Sequence, residues 1–168
     1  MKIILNTERL TLREFHLDDA QFIIRLVNSP DWIKFIGDRN IKTVEQAEEY
    51  LTAGPLKSYA VYGFGLNVVE LTESNIPIGM CGIIKRDSLE RPDIGFAFLP
   101  EYFGKGYGFE IASATLGYAV QVLRIPSICA ITVANNTASI RLIEKLGLTI
   151  EKTFQYPDTG EELQLYKN

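Results

Sequence analysis

Histidine is nearly absent from this sequence, which contains a single one, His16, in 168 residues. That scarcity excludes most histidine-based catalysis and most metal sites, unless His16 itself takes part. Cysteine is also scarce, and Cys81 and Cys129 both lie in apolar, strand-like runs, so we expect two reduced thiols in the core. Their spacing matches no zinc-binding pattern, and the sequence predicts no metal.

Runs of basic residues and long apolar runs are missing as well. The net charge is −4 and the Lys and Arg residues are scattered, so we expect no nucleic-acid partner. No apolar segment reaches membrane-spanning length, and the N-terminus lacks the apolar core of a signal peptide. We therefore expect no membrane partner and a cytoplasmic location. A length of 168 residues, 46% of them hydrophobic, favours one folded domain over residues 1–168.

The order of periodic segments predicts an α/β domain with a mixed sheet. Ser29-Pro30 should end the first helix, and Gly54-Pro55 should break the second. An aromatic loop with Trp32 and Phe35 lies between them. The predicted strands cover residues 7–15, 65–70, 78–85, 93–99, 128–134, 148–154 and 161–166. The predicted helices begin at Asp18 or Asp19, at Thr43 with support from Glu45 or Gln46, at about Tyr107, and at Asn135 or Asn136.

Three glycines alternate just after the predicted strand 93–99: Gly104, Gly106 and Gly108. Glycine permits tight turns and a close approach by another molecule, because it has no Cβ. A glycine loop that leads into a helix directs unpaired N–H groups to one place, where the helix dipole adds partial positive charge. This arrangement predicts a phosphate site. On these residues alone, a glycine-rich turn without a ligand is the alternative.

Two better-known phosphate loops do not fit this segment. A P-loop needs Ser or Thr after its lysine, whereas Lys105 is followed by Gly106. A Rossmann fingerprint needs a third glycine where Phe109 stands, and it belongs near the start of a βαβ unit. The sequence therefore argues against an enzyme that uses a nucleoside triphosphate or a dinucleotide.

Two motifs carry a resemblance to a known family. The first is D-I-G-F-A-F-L-P-E-Y-F-G-K-G-Y-G-F-E, residues 93–110, and the second is V-A-N-N-T-A-S-I-R-L-I-E-K-L-G-L, residues 133–148. With both in this order, the sequence resembles the GCN5-related N-acetyltransferase (GNAT) superfamily, in the branch of the ribosomal-protein N-terminal acetyltransferases. The resemblance implies a strongly twisted mixed sheet of about six or seven strands flanked by about four helices.

The resemblance also implies acetyl-CoA as cofactor. The pyrophosphate would lie on backbone amides of Phe103, Gly104, Lys105, Gly106, Tyr107 and Gly108. The pantetheine arm would lie between the splayed strands 93–99 and 128–134 and pair with the backbone of Phe96, Phe98 and Leu99. Asn136 and Ser139 would face that arm from the next helix. Phe103 departs from the Arg or Gln that is common in the superfamily, but this branch tolerates an aromatic residue there.

Candidate catalytic residues follow from the same resemblance. Asp93 stands where this branch often has Glu and is the candidate general base, acting through water because its side chain is shorter. Ile143 stands where many relatives carry a general-acid Tyr, so Ser139 is the candidate acid. The alternatives are a solvated carboxylate at a strand end for Asp93 and an ordinary first-turn serine for Ser139.

The expected reaction is direct attack of an amine on the thioester, since no Cys or Ser shows a pairing with a base. The acceptor would be a protein N-terminus or a small amine. Aromatic residues would form its pocket: Trp32, Phe35, Tyr59 and Phe64, with Tyr62. A non-catalytic acyl-CoA-binding sensor or partner module is the alternative, because the helix tyrosine is missing.

Two further expectations concern covalent and quaternary structure. In the implied fold Cys81 and Cys129 lie on strands either side of strand 93–99, at about 10 Å, which is too far for a disulfide. An exposed C-terminal strand could pair across a two-fold axis, which makes a homodimer possible.

Overall fold

A mixed sheet of eight strands forms the centre of the computed structural model, which describes residues 2–168. In chain order the strands are β1 (Ile3–Asn6), β2 (Leu10–Arg13), β3 (Leu66–Leu71), β4 (Pro77–Ile84), β5 (Asp93–Phe98), β6 (Cys129–Thr132), β7 (Thr149–Gln155) and β8 (Glu162–Lys167). The order across the sheet is β1-β2-β3-β4-β5-β6-β8-β7, and only β5 and β6 pair in parallel. The predicted mixed α/β class is confirmed, with one strand beyond the predicted number.

Helices cover both faces of the sheet. They are α1 (Ala20–Val27), α2 (Pro30–Phe35), α3 (Val44–Leu51), α4 (Lys57–Tyr62), α5 (Tyr107–Gln121) and α6 (Thr137–Lys145). One core lies between the sheet and α5 and α6, with Ile111 and Ile143 fully buried. A second core lies under α1, α2 and α3, with Ile23, Trp32 and Leu51 buried. The sheet is therefore the middle layer of three.

The signal at Ser29-Pro30 is confirmed, but the aromatic loop predicted after it is helical, and the break predicted at Gly54-Pro55 is wrong. Pro30 does follow the end of α1, but it begins the short helix α2, because the first helical turn needs no N–H from proline. Gly54-Pro55 does not break the second helix. It lies in a π-helical turn, Thr52–Leu56, that connects α3 directly to α4, and the burial of Leu51 and Pro55 outweighs the low helix propensity of Gly54 and Pro55.

Helix caps show how far local signals hold. Thr43 and Gln46 form the predicted capping box of α3, and the Asn136 side chain accepts a hydrogen bond from the N–H of Ser139 to cap α6. Asp18 or Asp19 was predicted to cap the first helix. The Asp19 carboxylate accepts from the His16 N–H at 3.0 Å in the capping box of the short 3-10 turn Leu17–Asp19, but it makes no cap bond to α1 itself. Instead, it accepts two hydrogen bonds of 2.8 Å from Arg13, whose guanidinium also bonds Glu70.

The strand order tests two further predictions: that Cys81 and Cys129 form no disulfide, and that the C-terminal strand is exposed at the edge of the sheet. Cys81 on β4 and Cys129 on β6 flank β5 as predicted, and both are free and buried. The C-terminal strand β8 is not exposed at an edge, because it lies between β6 and β7. The edge on this side is β7. No helix within residues 2–168 has the length and apolar character needed to cross a bilayer.

Candidate active site

A gap opens where β5 and β6 separate. The two strands share one backbone pairing, Asp93 opposite Cys129, beside a hydrogen bond of 2.9 Å from the Cys129 N–H to the Pro92 carbonyl. Beyond that point β6 pairs with β8 on its other side, and β5 continues toward the glycine loop. The two parallel strands therefore splay apart and leave backbone groups of β5 without a strand partner on this side.

Two adjoining cavities fill this gap. The first, of about 260 Å³, is lined by Phe98, Phe103 and the three loop glycines. The second, of about 340 Å³, reaches the start of β5 and is lined by Arg86, Asp93 and Tyr156. The two cavities share seven lining residues: Trp32, Phe35, Ile36, Phe96, Ala97, Asn136 and Ser139. The cavities therefore form one cleft with two ends.

The glycine loop forms the floor of the first cavity. Gly104 and Gly106 have positive φ angles of 71° and 81°, which an L-residue rarely adopts. Gly106 is also the N-cap of α5, and no side chain caps it. None of the N–H groups from Gly104 to Phe109 donates to an acceptor within residues 2–168. Free donors at a helix N-terminus fit a diphosphate group.

The third glycine has another role. Gly108 lies in the first turn of α5, and a Cβ there would lie 3.2 Å from Leu142 Cδ2 on α6. A glycine at this position lets α5 and α6 approach closely behind the loop. Lys105 is the one member of 103–108 that does not line the first cavity. Its ammonium lies 5.3 Å from the Tyr102 ring instead.

Phe96, Phe98 and Leu99 were predicted to pair with the ligand through their backbone, but Leu99 differs from the other two in the direction of its N–H and C=O groups. The Leu99 N–H donates to Ile78 on β4 at 2.9 Å, and the Leu99 carbonyl accepts from Tyr102 at 3.0 Å. Both polar groups of Leu99 are therefore used, and its side chain is buried, so we withdraw it from the predicted set. Because backbone direction alternates along a strand, Phe96 and Phe98 present their N–H and C=O groups to the gap.

Asn136 and Ser139 lie together at the junction of the two cavities. The Asn136 Oδ1 accepts from the Ser139 N–H at 3.2 Å, which fixes the first turn of α6 against the cleft. The sequence spacing of N-x-x-S therefore has a structural cause, the helix cap. The Ser139 hydroxyl has no base among its hydrogen-bond partners within residues 2–168, so it is not arranged as an activated nucleophile.

Asp93 lies at the far end of the second cavity and is buried. Both of its carboxylate oxygens accept from Arg86, at 2.8 Å from Nε and 3.2 Å from Nη2. Burial raises the pKa of Asp93, the Arg86 charge and hydrogen bonds oppose that rise, and the net pKa lies above its usual range. The alternative of a solvated strand-end carboxylate does not apply, because this carboxylate is buried and paired.

Neighbouring groups complete this end of the cleft. Arg86 Nη1 also donates to the Tyr156 hydroxyl at 3.4 Å, and that hydroxyl accepts from Ser88 at 3.3 Å.

Burial raises the pKa of Cys129 to about 11 and that of Cys81 to about 12, so both thiols stay protonated at neutral pH. Neither cysteine is a candidate nucleophile.

The predicted aromatic pocket is divided by the structure. Trp32 and Phe35 on α2 line both cavities. Tyr59 and Phe64 line a different, small cavity beside α5, and Tyr62 lines a groove along α4. The Tyr59 hydroxyl accepts from the Phe15 N–H at 3.1 Å and donates to the Leu66 carbonyl, so it connects β2 to β3. We therefore withdraw Tyr59 and Phe64 from the acceptor pocket.

Sequence reasoning missed two arginines at this site. Arg86 lies in the β4–β5 connection, two residues past Ile84, which pairs with Asp93, and opposite charges near the two ends of this connection could have indicated the ion pair. Arg9 lies between β1 and β2, yet its guanidinium reaches the glycine loop, where it donates to the Lys105 carbonyl at 3.0 Å. No local signal connects Arg9 to a loop 96 residues away.

Comparisons with known proteins agree with this geometry. A family model described as "Acetyltransferase (GNAT) domain" matches residues 9–149. YoaA of Bacillus subtilis (strain 168), named as an uncharacterized N-acetyltransferase, is 27% identical over 150 residues, which are 88% of this chain and 84% of YoaA.

Solved structures share the fold over the whole chain. A GNAT-family acetyltransferase from Bacillus anthracis superposes with a TM-score of 0.80 and 27% identity, over 100% of this chain and 98% of that one. RimL, a ribosomal L7/L12 alpha-N-protein acetyltransferase in complex with coenzyme A, superposes with a TM-score of 0.84 over 99% of this chain and 97% of RimL. At 15% identity, the second similarity concerns the fold alone.

The splayed strands, the free loop amides and the family match lead to one assignment. The matched region, residues 9–149, includes β5, the glycine loop, β6 and α6. The chain belongs to the GNAT family, and it is an N-acetyltransferase whose cofactor is acetyl-CoA.

Proposed function

We propose that the acetyl group passes to a primary amine that attacks the thioester directly. The observation that carries this proposal is the single cleft with two ends between β5 and β6. A donor along the glycine loop and an acceptor in the second cavity would meet at Ser139 and Phe96, which line both cavities. When bound, acetyl-CoA supplies an acetyl group activated as a thioester.

Binding of the donor falls to backbone groups. The free N–H groups of 104–108 would hold the pyrophosphate, whereas the Phe103 N–H, also predicted to do so, already donates to the Pro100 carbonyl at 3.1 Å. The backbone of Phe96 and Phe98 would pair with the pantetheine arm in the place of a missing strand partner. Asn136 and Ser139 would contact the same arm from the first turn of α6. Trp32 and Phe35 would exclude water from the point where donor and acceptor meet.

Proton transfer is assigned to two side chains. Asp93 would accept the amine proton through water, and its raised pKa makes it a better base near neutral pH than an ordinary Asp. Ser139 would donate a proton to the leaving thiolate. Arg86 keeps Asp93 oriented, because it bonds both carboxylate oxygens.

A protein N-terminus and a small amine are both candidate acceptors. RimL is named as an alpha-N-protein acetyltransferase, which makes a protein α-amine one candidate. An α-amine has a pKa of about 8 and needs less help from a base than a lysine-like amine with a pKa of about 10.4. Four expectations stay predictions: a homodimer, a cytoplasmic location, and the absence of nucleic-acid and of membrane partners.

The first test is calorimetric titration with acetyl-CoA, CoA and NADH. We expect the folded protein to bind the first two and not NADH. Gly106→Trp should abolish that binding, because a φ of 81° is strained for an L-residue and the new side chain would displace the Arg9 guanidinium, which distorts the loop. Gly147→Trp is the matched control: Gly147 also has a positive φ, 89°, with open space at its Cβ, but it lies past the end of α6 and should leave binding intact.

The second test is release of CoA in the presence of a panel of amines, followed with a thiol reagent. Release that depends on one amine class would support transfer and identify the acceptor. Tight binding of acetyl-CoA without release by any α-amine, polyamine or amino acid would contradict transfer to a primary amine.

A further inference from the structure

Arg9 connects the turn between β1 and β2 to the start of α5. Its backbone N–H donates to Glu110 Oε1 at 2.9 Å, and its Nε donates to Glu110 Oε2 at 2.7 Å. The Thr7 hydroxyl donates to the same Oε1 at 2.7 Å. Glu110 is in the first turn of α5, so these bonds attach the first hairpin of the chain to the helix that begins at the glycine loop.

The same guanidinium also holds the loop itself. Arg9 Nη1 donates to the Lys105 carbonyl at 3.0 Å, and Cζ lies 4.5 Å from the centre of the Tyr107 ring. A Cβ built on Gly106 would lie 3.4 Å from Arg9 Nη2, so the arginine lies directly behind this glycine. A planar fork of donors can make all of these contacts at once, and a lysine cannot.

The bond to Lys105 decides the direction of the next amide. In a trans peptide the carbonyl of one residue and the N–H of the next point in opposite directions. The Lys105 carbonyl points to Arg9, so the Gly106 N–H points away from Arg9. Gly106 lines the first cavity, whereas Arg9 does not line it. Arg9 therefore helps to present this N–H to the cleft.

Charge adds a second effect. Burial disfavours ionisation of Glu110, but hydrogen bonds from Thr7 and Arg9 outweigh that effect and lower its pKa, so the carboxylate is charged at neutral pH. A bare carboxylate in the first turn of α5 would repel a diphosphate bound at the same helix end. Arg9, whose side chain is 44% exposed, neutralises this charge from the side away from the cleft.

We propose that Arg9 is a positioning residue for the coenzyme: it orients the Lys105–Gly106 peptide and neutralises Glu110, so that the glycine loop can bind the diphosphate. The inference rests on acetyl-CoA binding at the glycine loop, as the proposed function has it. Arg9 itself does not line the cleft and touches no reacting atom.

The test compares two acyl donors, acetyl-CoA and S-acetylpantetheine, which lacks the diphosphate. In Arg9→Gln the Kd for acetyl-CoA, measured by calorimetry, should rise about tenfold, the effect of losing one charge-assisted hydrogen bond. The KM for acetyl-CoA should rise in parallel, with kcat and the efficiency with S-acetylpantetheine unchanged. Arg9→Lys retains the charge without the fork and should recover part of the loss.

Lys2→Gln is the matched control, because Lys2 forms another exposed ion pair on the same hairpin, with Glu14 at 2.8 Å, and lies outside the cleft. It should leave both donors unaffected. An unchanged Kd for acetyl-CoA in Arg9→Gln would overturn the proposal. An equal loss with both donors would also overturn it, since that result indicates a general structural role. Failure of the wild type to bind acetyl-CoA would instead contradict the proposed function.

Discussion

Asp93 experiences two opposing effects in the folded protein. Burial among β4, β5 and β6 penalises its charged form, while two hydrogen bonds from Arg86 favour that form. The first effect is larger, so the pKa rises. The proposed role of Asp93 as general base requires its deprotonated form, so the raised pKa would move the lower limit of activity upward in pH.

We expect Asp93→Asn to lower kcat/KM about 100-fold, because a positioned general base contributes at least that factor. In the wild type the acidic limb of the pH profile should lie above the ordinary aspartate pKa of 3.8. In the variant that limb should disappear. The measurement is kcat/KM across pH with the amine found in the acceptor panel.

The control for the Asp93→Asn prediction is a variant of Arg86, the ion-pair partner of Asp93. Arg86→Gln leaves the carboxylate without its guanidinium, so burial is opposed only by a weaker backbone hydrogen bond and the acidic limb should shift to higher pH. If Asp93→Asn only lowers the melting temperature and leaves the shape of the pH profile unchanged, Asp93 is a structural partner of Arg86 and the base lies elsewhere.

At the scale of elements, close packing of β3 against β4 depends on a missing side chain. A Cβ at Gly82 on β4 would lie 2.1 Å from the Gly65 carbonyl oxygen and 2.7 Å from the Leu66 Cα. Both atoms belong to backbone, so no rotamer change relieves the overlap. The glycine therefore sets the spacing between two strands that support the second cavity.

Gly82→Ala should destabilise the protein by about 1–3 kcal/mol, the usual cost of overpacking. Gly117→Ala is the matched glycine on α5, where a Cβ would meet nothing within 4 Å. It should stabilise the protein by about 0.5–1 kcal/mol, because alanine loses less entropy in a helix. The free energies of unfolding in urea give both values, and equal signs for the two variants would contradict the role assigned to Gly82.

At the scale of the whole molecule, a ligand that binds only the folded state adds to its stability. At a concentration of about 100 times its Kd, acetyl-CoA should add about 2.7 kcal/mol. For a chain of this length, that raises the melting temperature by about 5–11 °C. Thermal unfolding with and without acetyl-CoA measures the shift.

NADH at the same concentration should leave the melting temperature unchanged, and Gly106→Trp should remove the shift caused by acetyl-CoA. A rise of similar size with NADH would point to non-specific stabilisation. It would count against specific binding of the coenzyme at the glycine loop.

Structural features that depend on a few neighbouring residues were predicted from the sequence. The caps of α3 and α6 and the glycine loop between β5 and α5 all lie where predicted. Caps and turns depend on contacts within about four residues, so local residue types suffice to predict them. The two motifs at 93–110 and 133–148 also identified the family. Each is a continuous stretch of sequence: the first covers β5, the glycine loop and the start of α5, and the second covers α6 with its cap.

Contacts between distant segments were decided only by the tertiary structure. Arg9 meets the glycine loop across 96 residues, and Tyr59 contacts the backbone of Phe15 across 44. The strand order placed β8 inside the sheet, and packing carried the helix through Pro55. The sequence by itself thus determined seven of the strands, four of the helices, the family and the loop, but not β1, α2 or α4. Which side chains converge on the cleft depended on the order of the strands, since that order brings together residues that no local pattern connects.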